Sequence, residues 1–191
     1  MKKVHVDTGN AYDVTIGRGL LDKAGEWLAA LTPSRLASLV ADDTVDALYG
    51  SRVAAALEGA GFAVLRFTFP HGEQNKTLAT YGQILDFLAE NRVTRADTVV
   101  ALGGGVTGDM AGFAAATYLR GVNVAQIPTT LLAMVDSSVG GKTGVDLPAG
   151  KNLAGAFHQP IGVLCDVNAL ATLPPEVYAD GMAEAIKYGV L

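Results

Sequence analysis

Residues 99–113 read VVALGGGVTGDMAGF, an apolar run followed at once by glycines and small residues. The run predicts a buried strand, and the small residues after it predict a helix that begins among the glycines. Gly103, Gly105 and Gly108 satisfy the pattern G-x-G-x-x-G at this junction. Such a strand–turn–helix unit is typical of loops that hold nucleotide phosphates, with tight helix–sheet packing as the alternative explanation.

A second glycine-rich stretch, VGGKTGVDLPAGKN, occupies residues 139–152, and IPTTLLAMVDSS at 127–138 precedes it. Glycine costs roughly 0.5–1 kcal/mol relative to alanine inside regular structure, so a cluster indicates a backbone that approaches another group closely. Packing does not account for so many glycines beside hydroxyl, amide and lysine groups, and we expect an enzyme site here. Lys142, Lys151 and Asn152 suit an anionic substrate.

The composition indicates a folded domain. The chain has 191 residues, of which 50% are hydrophobic and 17% charged. Its net charge of −5, without a lysine or arginine block, argues against a nucleic-acid partner. Cys165 is the single cysteine, so no intrachain disulfide is possible, which agrees with a reducing compartment. No apolar run suits a signal peptide or a membrane span, and we expect a cytoplasmic protein without a membrane partner.

Strand and helix patterns alternate along the chain. They predict a β-hairpin over 4–16, strands at 36–41, 62–69, 97–102, 122–128 and 161–167, and helices at 20–31, 43–58, 77–91 and 105–118. The pattern predicts an α/β fold, a Rossmann-like, mainly parallel sheet with helices on both faces. No strand is assigned to residues 139–152.

The pattern of residues changes after Thr172. Leu173-Pro174-Pro175 begins a helical pattern that reaches Leu191 without a cap, a glycine stop or a partner for its apolar face. We therefore expect one domain over residues 1–172, and over residues 173–191 the truncated start of a second domain.

The glycine motif departs from the ordinary dinucleotide fingerprint. It does not lie in the first βαβ unit, and the residue about twenty positions further on is Asn123 instead of an acid. A carboxylate for a ribose would have to come from Asp42 or Glu73. Asp109, one turn into the helix, either favours the helix dipole or contacts a cofactor, and its spacing does not separate these alternatives.

Metal-ligand spacing is absent from the sequence. Glu184 shares a helical face with Glu176, Asp180 and Lys187, whereas His5, His71 and His158 are scattered. Because catalytic zinc needs three protein ligands, one carboxylate makes no zinc site. Any partners of Glu184 are expected outside this sequence.

Four segments resemble motifs of the 3-dehydroquinate synthase family, one of the sugar-phosphate cyclases. They are GGGVTGDMAGFAAATYLRG (103–121), QIPTTLLAMVDSSVGGKTGVD (126–146), GKNLAGAFHQP (150–160) and GMAEAIKYG (181–189). The resemblance is strongest from PHGEQNK (70–76) onward. It implies an N-terminal NAD-binding Rossmann-like domain, a helical metal-binding domain that carries two further histidine ligands, and a homodimer.

The resemblance also implies roles for individual residues. Glu184 would bind Zn²⁺ or Co²⁺, Asp136 and Lys187 would contact substrate hydroxyls, and Lys142, Asn152 and Arg120 would hold the substrate phosphate, with Arg120 reaching across a dimer interface. The NAD contacts it implies are Asp42, Thr44, His71, Gly72, Glu73, Gln74, Asn75, Lys76, Gly105, Val106, Thr107, Gly108, Asp109, Thr129, Thr130, Lys142, Lys151, Ala169, Leu170, Ala171 and Thr172.

The implied reaction is the conversion of 3-deoxy-D-arabino-heptulosonate 7-phosphate to 3-dehydroquinate and phosphate, in the shikimate route to aromatic amino acids. It combines a transient oxidation by NAD, phosphate elimination, reduction and an aldol closure, so the enzyme is a lyase. Three alternatives stay open: a sister cyclase that makes an inosose or a valiolone, a glycerol-type metal-dependent dehydrogenase, and an isolated nucleotide-binding module. We expect this chain alone to show no turnover.

Overall fold

A seven-stranded sheet lies at the centre of the computed structural model, which describes residues 1–190. Its strand order is β1-β2-β9-β6-β5-β3-β4, and every pairing is parallel except that of β1 with β2. Strands β7 and β8 form a separate antiparallel hairpin. The strands are β1 (Lys2–Val6), β2 (Tyr12–Gly17), β3 (Leu36–Asp42), β4 (Ala63–Phe69), β5 (Thr98–Gly103), β6 (Asn123–Pro128), β7 (Lys142–Leu147), β8 (Gly150–Phe157) and β9 (Val163–Asp166).

The helices connect the strands much as the sequence predicts. A π-helical turn, Asp46–Gly50, joins α2 to α3, so the predicted helix over 43–58 forms as one irregular helix. The predicted helix at 20–31 begins with a short 3₁₀ turn before α1. The helices are α1 (Ala24–Ala29), α2 (Asp43–Val45), α3 (Ser51–Gly59), α4 (Leu78–Glu90), α5 (Gly105–Thr117) and α6 (Pro175–Val190).

Two apolar cores lie on opposite faces of the sheet. On one face, Leu57 of α3 and Leu28 of α1 lie in the same buried cluster as Leu39 of β3. On the other face, Met110 of α5 lies in the same buried cluster as Val40 of β3. Because neighbouring residues of a strand point to opposite faces, a strand buried on both faces needs a continuous apolar run. The predicted Rossmann-like fold, a mainly parallel sheet covered on both faces, is confirmed.

The second glycine-rich stretch differs from the expectation, because it forms the two strands of the β7–β8 hairpin. Val145 is fully buried in the core beneath α4 and α5. A Cβ at Gly144 would lie 2.6 Å from the Ala154 carbonyl oxygen, and a Cβ at Gly112 of α5 would lie 2.5 Å from Thr143 Cγ2. These glycines let the hairpin and α5 approach closely, and they also remove the alternating side chains that would have predicted strands.

Helix α6 forms where the sequence predicts it and contacts the rest of the chain through Gly181. A Cβ at this glycine would lie 2.6 Å from the backbone nitrogen of Leu132. Ile186 and Tyr188 stay exposed on the helix. The domain boundary at Thr172 stays a prediction. Within residues 1–190, no helix has both the length and the apolar character needed to cross a bilayer.

Asp97 fixes the entrance to β5 through three hydrogen bonds. Its carboxylate accepts the Ser34 hydroxyl at 2.5 Å, and the Thr94 backbone N–H and hydroxyl at 2.7 and 2.8 Å. Burial acts to raise the pKa of Asp97, but these hydrogen bonds outweigh it and leave the pKa below its ordinary value. The native state therefore binds fewer protons here than the unfolded state does.

We expect Asp97→Ala to lower the free energy of unfolding at pH 7 by about 2 kcal/mol, since bonds to a charged acceptor are lost. Because the native pKa is depressed, the stabilisation is present above about pH 4, the unfolded value, and is lost as the pH falls through the native pKa. Urea unfolding at several pH values measures the difference. Asp22→Ala, which removes an exposed partner of Arg52, is the control and should change stability less. An equal difference at pH 7 and pH 3 would contradict the argument.

Candidate functional site

The chain reverses direction across the sheet between β3 and β5. From β3 the chain crosses to β4 at the sheet edge and then returns to β5 on the opposite side of β3. Asp42 ends β3 and Gly103 ends β5, so both residues border the point where the connections diverge. In open α/β sheets, ligands bind in the crevice that forms outside the carboxyl ends of the strands at such a point.

The amino end of α5 opens into this crevice. No side chain among the described residues caps it, and Gly104 at the N-cap has an extended backbone. Gly104 and Gly105 are half-buried, and a Cβ on either would meet side-chain atoms of Thr130 or Ser137 at 3.1 Å. The first N–H groups of a helix lack partners within the helix, and together with its dipole they favour an anion.

The other motif glycines have packing reasons, which corrects the expectation that packing does not account for them. A Cβ at Gly103 would lie 2.5 Å from Thr107 Oγ1, and a Cβ at Gly108 would lie 2.9 Å from Gln126 Oε1. The side chain of Thr107 is itself fully buried. Of the predicted phosphate contacts, the buried Thr107 could therefore contribute only through its backbone N–H. The Gly108 N–H already donates to the Gly104 carbonyl at 3.0 Å, whereas Gly105 borders the crevice.

Asp42 closes the floor of the crevice beside the glycines. Its carboxylate caps α2 by accepting the Val45 N–H at 2.9 Å, and it lies 3.5 Å from the Thr107 hydroxyl. Thr129 is buried, and its N–H donates to the Gly103 carbonyl at 2.9 Å. The structure thus brings Asp42, Thr129 and Thr130 next to the glycine turn, and their contact with NAD stays a prediction.

Residues 70–76 form a closed loop at the side of the crevice. His71 bonds Asp43 through its N–H and its Nδ1 at 3.1 and 2.7 Å, and these contacts lower the pKa of Asp43. Asn75 donates its side-chain amide to the His71 carbonyl at 2.8 Å, and Gln74 does the same at 3.2 Å. Gly72 needs its glycine because its φ is +100°.

The hairpin is tied to this loop by charged contacts. Lys151 pairs with Glu73 at 3.0 Å across exposed surface. The Glu73 carboxylate is therefore already paired with an ammonium group. Of the two carboxylates that the sequence offers for a ribose, Asp42 is the one that lies at the switch point. Thr44 is exposed and lies beside Asp43.

Lys76 is the most deeply buried cation of the site, with 5% of its side chain exposed. Its ammonium donates to Asp109 Oδ2 at 2.6 Å and to Asn152 Oδ1 at 2.5 Å. Burial raises the pKa of Asp109, and the adjacent Lys76 ammonium acts in the opposite direction. The ion pair with Lys76 thus gives Asp109 a structural role, which its position in the helix alone did not indicate.

A cleft of about 470 Å³ opens between the hairpin, α5 and the segment that follows β6. Lys142 lies 3.5 Å from Asp136 there, and the Tyr188 hydroxyl donates to the same carboxylate at 3.1 Å. Tyr188 and Thr143 lie within the motif segments 181–189 and 126–146, but neither was among the predicted site residues. The lining residues are Asp109, Asp136, Ser137, Lys142, Thr143, Gly144, Asn152, Leu153, Gly155, Ala156 and Phe157.

Several predicted residues lie away from this cleft. Arg120 follows the carboxyl end of α5, the opposite end from the glycine turn, and it is exposed with a φ of +66°. Residues 169–172 follow β9, where the Ala169 carbonyl and the Thr172 hydroxyl bond Tyr49 of the irregular helix. They follow the carboxyl end of β9, with Ala169 buried, Leu170 half-buried and Ala171 exposed, and their contact with NAD stays a prediction.

Glu184 and Lys187 pair with each other on α6 at 2.7 Å. This contact raises the pKa of Lys187. Within the part of the chain that the structure describes, no group of three or more His, Cys, Asp or Glu side chains could hold a metal ion. Glu184 is therefore a single candidate ligand within these residues, and its role in metal binding stays a prediction.

The fold is that of a Rossmann-like α/β domain, with a cleft beside the carboxyl edge of its sheet. A family model described as 3-dehydroquinate synthase N-terminal matches residues 66–180, more than half of the chain. The chain belongs to the 3-dehydroquinate synthase family. It is 55% identical over 182 residues to the 3-dehydroquinate synthase of Caulobacter vibrioides, covering 95% of this chain and 49% of that protein. The chain thus spans about half the length of the curated relatives it matches.

Solved structures of related cyclases share the architecture. A 2-deoxy-scyllo-inosose synthase, complexed with carbaglucose-6-phosphate, NAD⁺ and Co²⁺, superposes with a TM-score of 0.90 at 28% identity, over 97% of this chain and 50% of that chain. A 2-epi-5-epi-valiolone synthase from Streptomyces hygroscopicus, with NAD⁺ and Zn²⁺ bound, gives a TM-score of 0.83 at 34% identity, over 95% of this chain and 50% of that chain.

Removing the buried ammonium group of Lys76 should destabilise the folded chain. We expect Lys76→Met to lower the free energy of unfolding by about 3 kcal/mol, because the Asp109 carboxylate would stay buried without its cation. The double variant Lys76→Met/Asp109→Leu should recover most of this loss. Urea unfolding of the set at pH 7 provides the measurement.

The matched control is Lys151→Met, which removes an ammonium whose ion pair is exposed. It should change the stability much less than Lys76→Met does. Equal urea midpoints for the two single variants would show that the Lys76 pair is not held in a buried site.

Proposed function

We propose that the chain is the NAD-binding part of a 3-dehydroquinate synthase, which converts 3-deoxy-D-arabino-heptulosonate 7-phosphate to 3-dehydroquinate and phosphate. The observation that carries this proposal is the uncapped amino end of α5 at the switch point, beside a cleft that holds Lys142 and Asn152. The family membership of the chain supports the same reaction. The substrate is accordingly a small phosphorylated sugar acid.

The crevice fits a dinucleotide. NAD would supply reversible hydride transfer without a net redox change. The backbone N–H groups of Gly105 and Val106 would hold its phosphates, and Asp42 would accept a ribose hydroxyl. Residues 71–76, Thr129, Thr130 and residues 169–172 surround it, and Thr44 and Lys151 lie at its exposed sides.

The cleft beside NAD holds the substrate. Lys142 and the amide of Asn152 bind the phosphate group, because both offer donors to its oxygens. Asp136 and Lys187 orient the hydroxyl groups of the ring. Arg120 adds a further phosphate contact from a second copy of the chain, since within one copy it lies at the far end of α5, and the active protein is thus a homodimer.

A Zn²⁺ or Co²⁺ ion, where bound, would supply Lewis-acid polarisation of a substrate hydroxyl. Glu184 supplies one carboxylate ligand in this proposal. The described residues offer no complete ligand set for this ion, so no step is assigned through it. Residues 173–191 then belong to a helical metal-binding domain distinct from the NAD-binding domain of residues 1–172. A biosynthetic role of this kind places the protein in the cytoplasm.

The sister cyclases are the second candidate. An inosose or a valiolone synthase would share the NAD crevice and Glu184. The identities favour the 3-dehydroquinate synthases, at 55% for the Caulobacter vibrioides protein against 28% and 34% for the two solved cyclases. A glycerol-type dehydrogenase would instead produce net NADH, and an isolated nucleotide-binding module would bind NAD without turnover.

A chimera tests the reaction. Residues 1–190 would replace the corresponding half of the Caulobacter vibrioides 3-dehydroquinate synthase. Supplied with Zn²⁺ and NAD, the chimera should release phosphate from the heptulosonate phosphate without NADH accumulation. Lys142→Met in the chimera should lower this activity at least about tenfold, since a charge-assisted contact of about 1.5–3 kcal/mol is lost.

Lys23→Met is the matched control, because Lys23 is an exposed lysine outside the cleft, and it should leave the rate unchanged. Net NADH production by the chimera would indicate a dehydrogenase. Turnover only on a different sugar phosphate would indicate a sister cyclase. Either result would refute the proposed reaction.

NAD binding tests the crevice directly in the 191-residue chain. Gly105→Val should weaken NAD binding at least about tenfold in calorimetric titrations, since a branched side chain would stand over the helix N–H groups and cost more than about 1.4 kcal/mol. Gly82→Val is the matched control, because a Cβ at Gly82 of α4 meets nothing within 4 Å. Equal NAD affinities for the two variants would contradict the assignment of the α5 amino end.

A further inference from the structure

Asp146 links the hairpin to two other parts of the site. It lies where the register between β7 and β8 shifts, between Val145 and Leu147. Its N–H donates to the Lys76 carbonyl at 2.8 Å, and its carboxylate Oδ1 accepts the N–H of Asn152 at 2.7 Å. A β-bulge re-aims the residues around it, and here the bulge turns one carboxylate back onto its own hairpin.

Asn152 is held in a conformation that few residues adopt. Its φ is +57°, in the left-handed region, where asparagine is one of the better tolerated residues after glycine. The hydrogen bond from its N–H to Asp146 stabilises this backbone. Because Asn152 directly follows Lys151, the same bond also fixes where the hairpin leaves its turn.

A hydrogen bond from Lys76 also fixes the orientation of the Asn152 side chain. Lys76 Nζ lies 2.5 Å from Asn152 Oδ1. An ammonium group only donates hydrogen bonds, so the atom that faces it must be the amide oxygen. The amide nitrogen is then the free end of the side chain, and Asn152 lines the cleft together with Lys142. The cleft therefore receives N–H donors from this residue.

These donors suit an oxyanion. The ammonium of Lys76 offsets the negative charge of Asp109, so the wall beside Asn152 does not repel a phosphate. A reversed amide would present an acceptor to the phosphate oxygens instead. The orientation of this amide thus determines whether Asn152 offers a donor or an acceptor to the phosphate oxygens.

We propose that Asp146 is a positioning residue, which holds the backbone of Asn152 so that its amide N–H groups point at the phosphate of the substrate. The inference rests on the proposed function only for the identity of that phosphate. Asp146 itself does not line the cleft that holds Lys142 and Asn152. Asp146→Asn keeps an oxygen that can accept the Asn152 N–H, whereas Asp146→Ala removes it.

Hydrogen exchange measured by NMR on the 191-residue chain tests the positioning. In Asp146→Ala the Asn152 N–H should exchange at least about tenfold faster than in the parent, since a bond to a charged acceptor is lost. Asp146→Asn should restore slow exchange. The N–H of the fully buried Val145 should keep its protection in both variants. Faster exchange of Val145 as well would mean that Asp146 merely supports the hairpin, and an unchanged Asn152 rate would also overturn the proposal.

A titration with inorganic phosphate tests the donors. Phosphate should shift the side-chain NH₂ signals of Asn152 in the parent chain and in Asp146→Asn. Asp146→Ala should need about tenfold more phosphate, while the distant Asp22→Ala should match the parent. The absence of a shift in the parent, or equal affinities for all variants, would refute the presentation of donors. The exchange rates need no substrate, so they stand even if the chimera shows no activity.

Discussion

The buried ammonium of Lys76 constrains the whole site, because a charge removed from water must be paired. Its partners are Asp109 on α5 and Asn152 on the hairpin, 33 and 76 residues further along the chain. Three separate segments must therefore keep their relative positions for the ion to stay neutralised, since breaking such a pair is much costlier than losing an exposed one. The crevice and the cleft are two sides of this junction, which couples the geometry of one to that of the other.

The glycines serve two physical purposes that one pattern conceals. Gly108 and Gly112 lie along α5, and their missing side chains let β6 and the hairpin come close to the helix. Gly104 and Gly105, at its amino end, border the crevice. The close packing holds α5 rigidly along its length, and a rigid helix presents its N–H groups at a fixed place. The packing glycines thus support the role of the glycines at the amino end.

Much of the fold could be predicted from the sequence. The apolar runs of β3 and β5 mark strands buried on both faces, and the helices between them then require parallel pairing. The β7–β8 hairpin could not be predicted, because glycines replace the alternating side chains. Nor could the partners of Lys76 be predicted, because no local pattern links residues so far apart. Resemblance pointed to Asn152 and Asp109 as site residues, but only the structure shows that one lysine holds both.

Arg120 lies too far from the amino end of α5 to reach it within one copy of the chain. Helix α5 has 13 residues, so about 20 Å separates its two ends, more than an arginine side chain spans. Leu119 and Arg120 both adopt left-handed backbones, each of which costs roughly 1–2 kcal/mol. Arg95 Nε donates to the Leu119 carbonyl at 3.0 Å and holds this turn, with Arg120 exposed at the surface. A phosphate contact by Arg120 therefore requires another copy of the chain, so its role and the homodimer form one hypothesis.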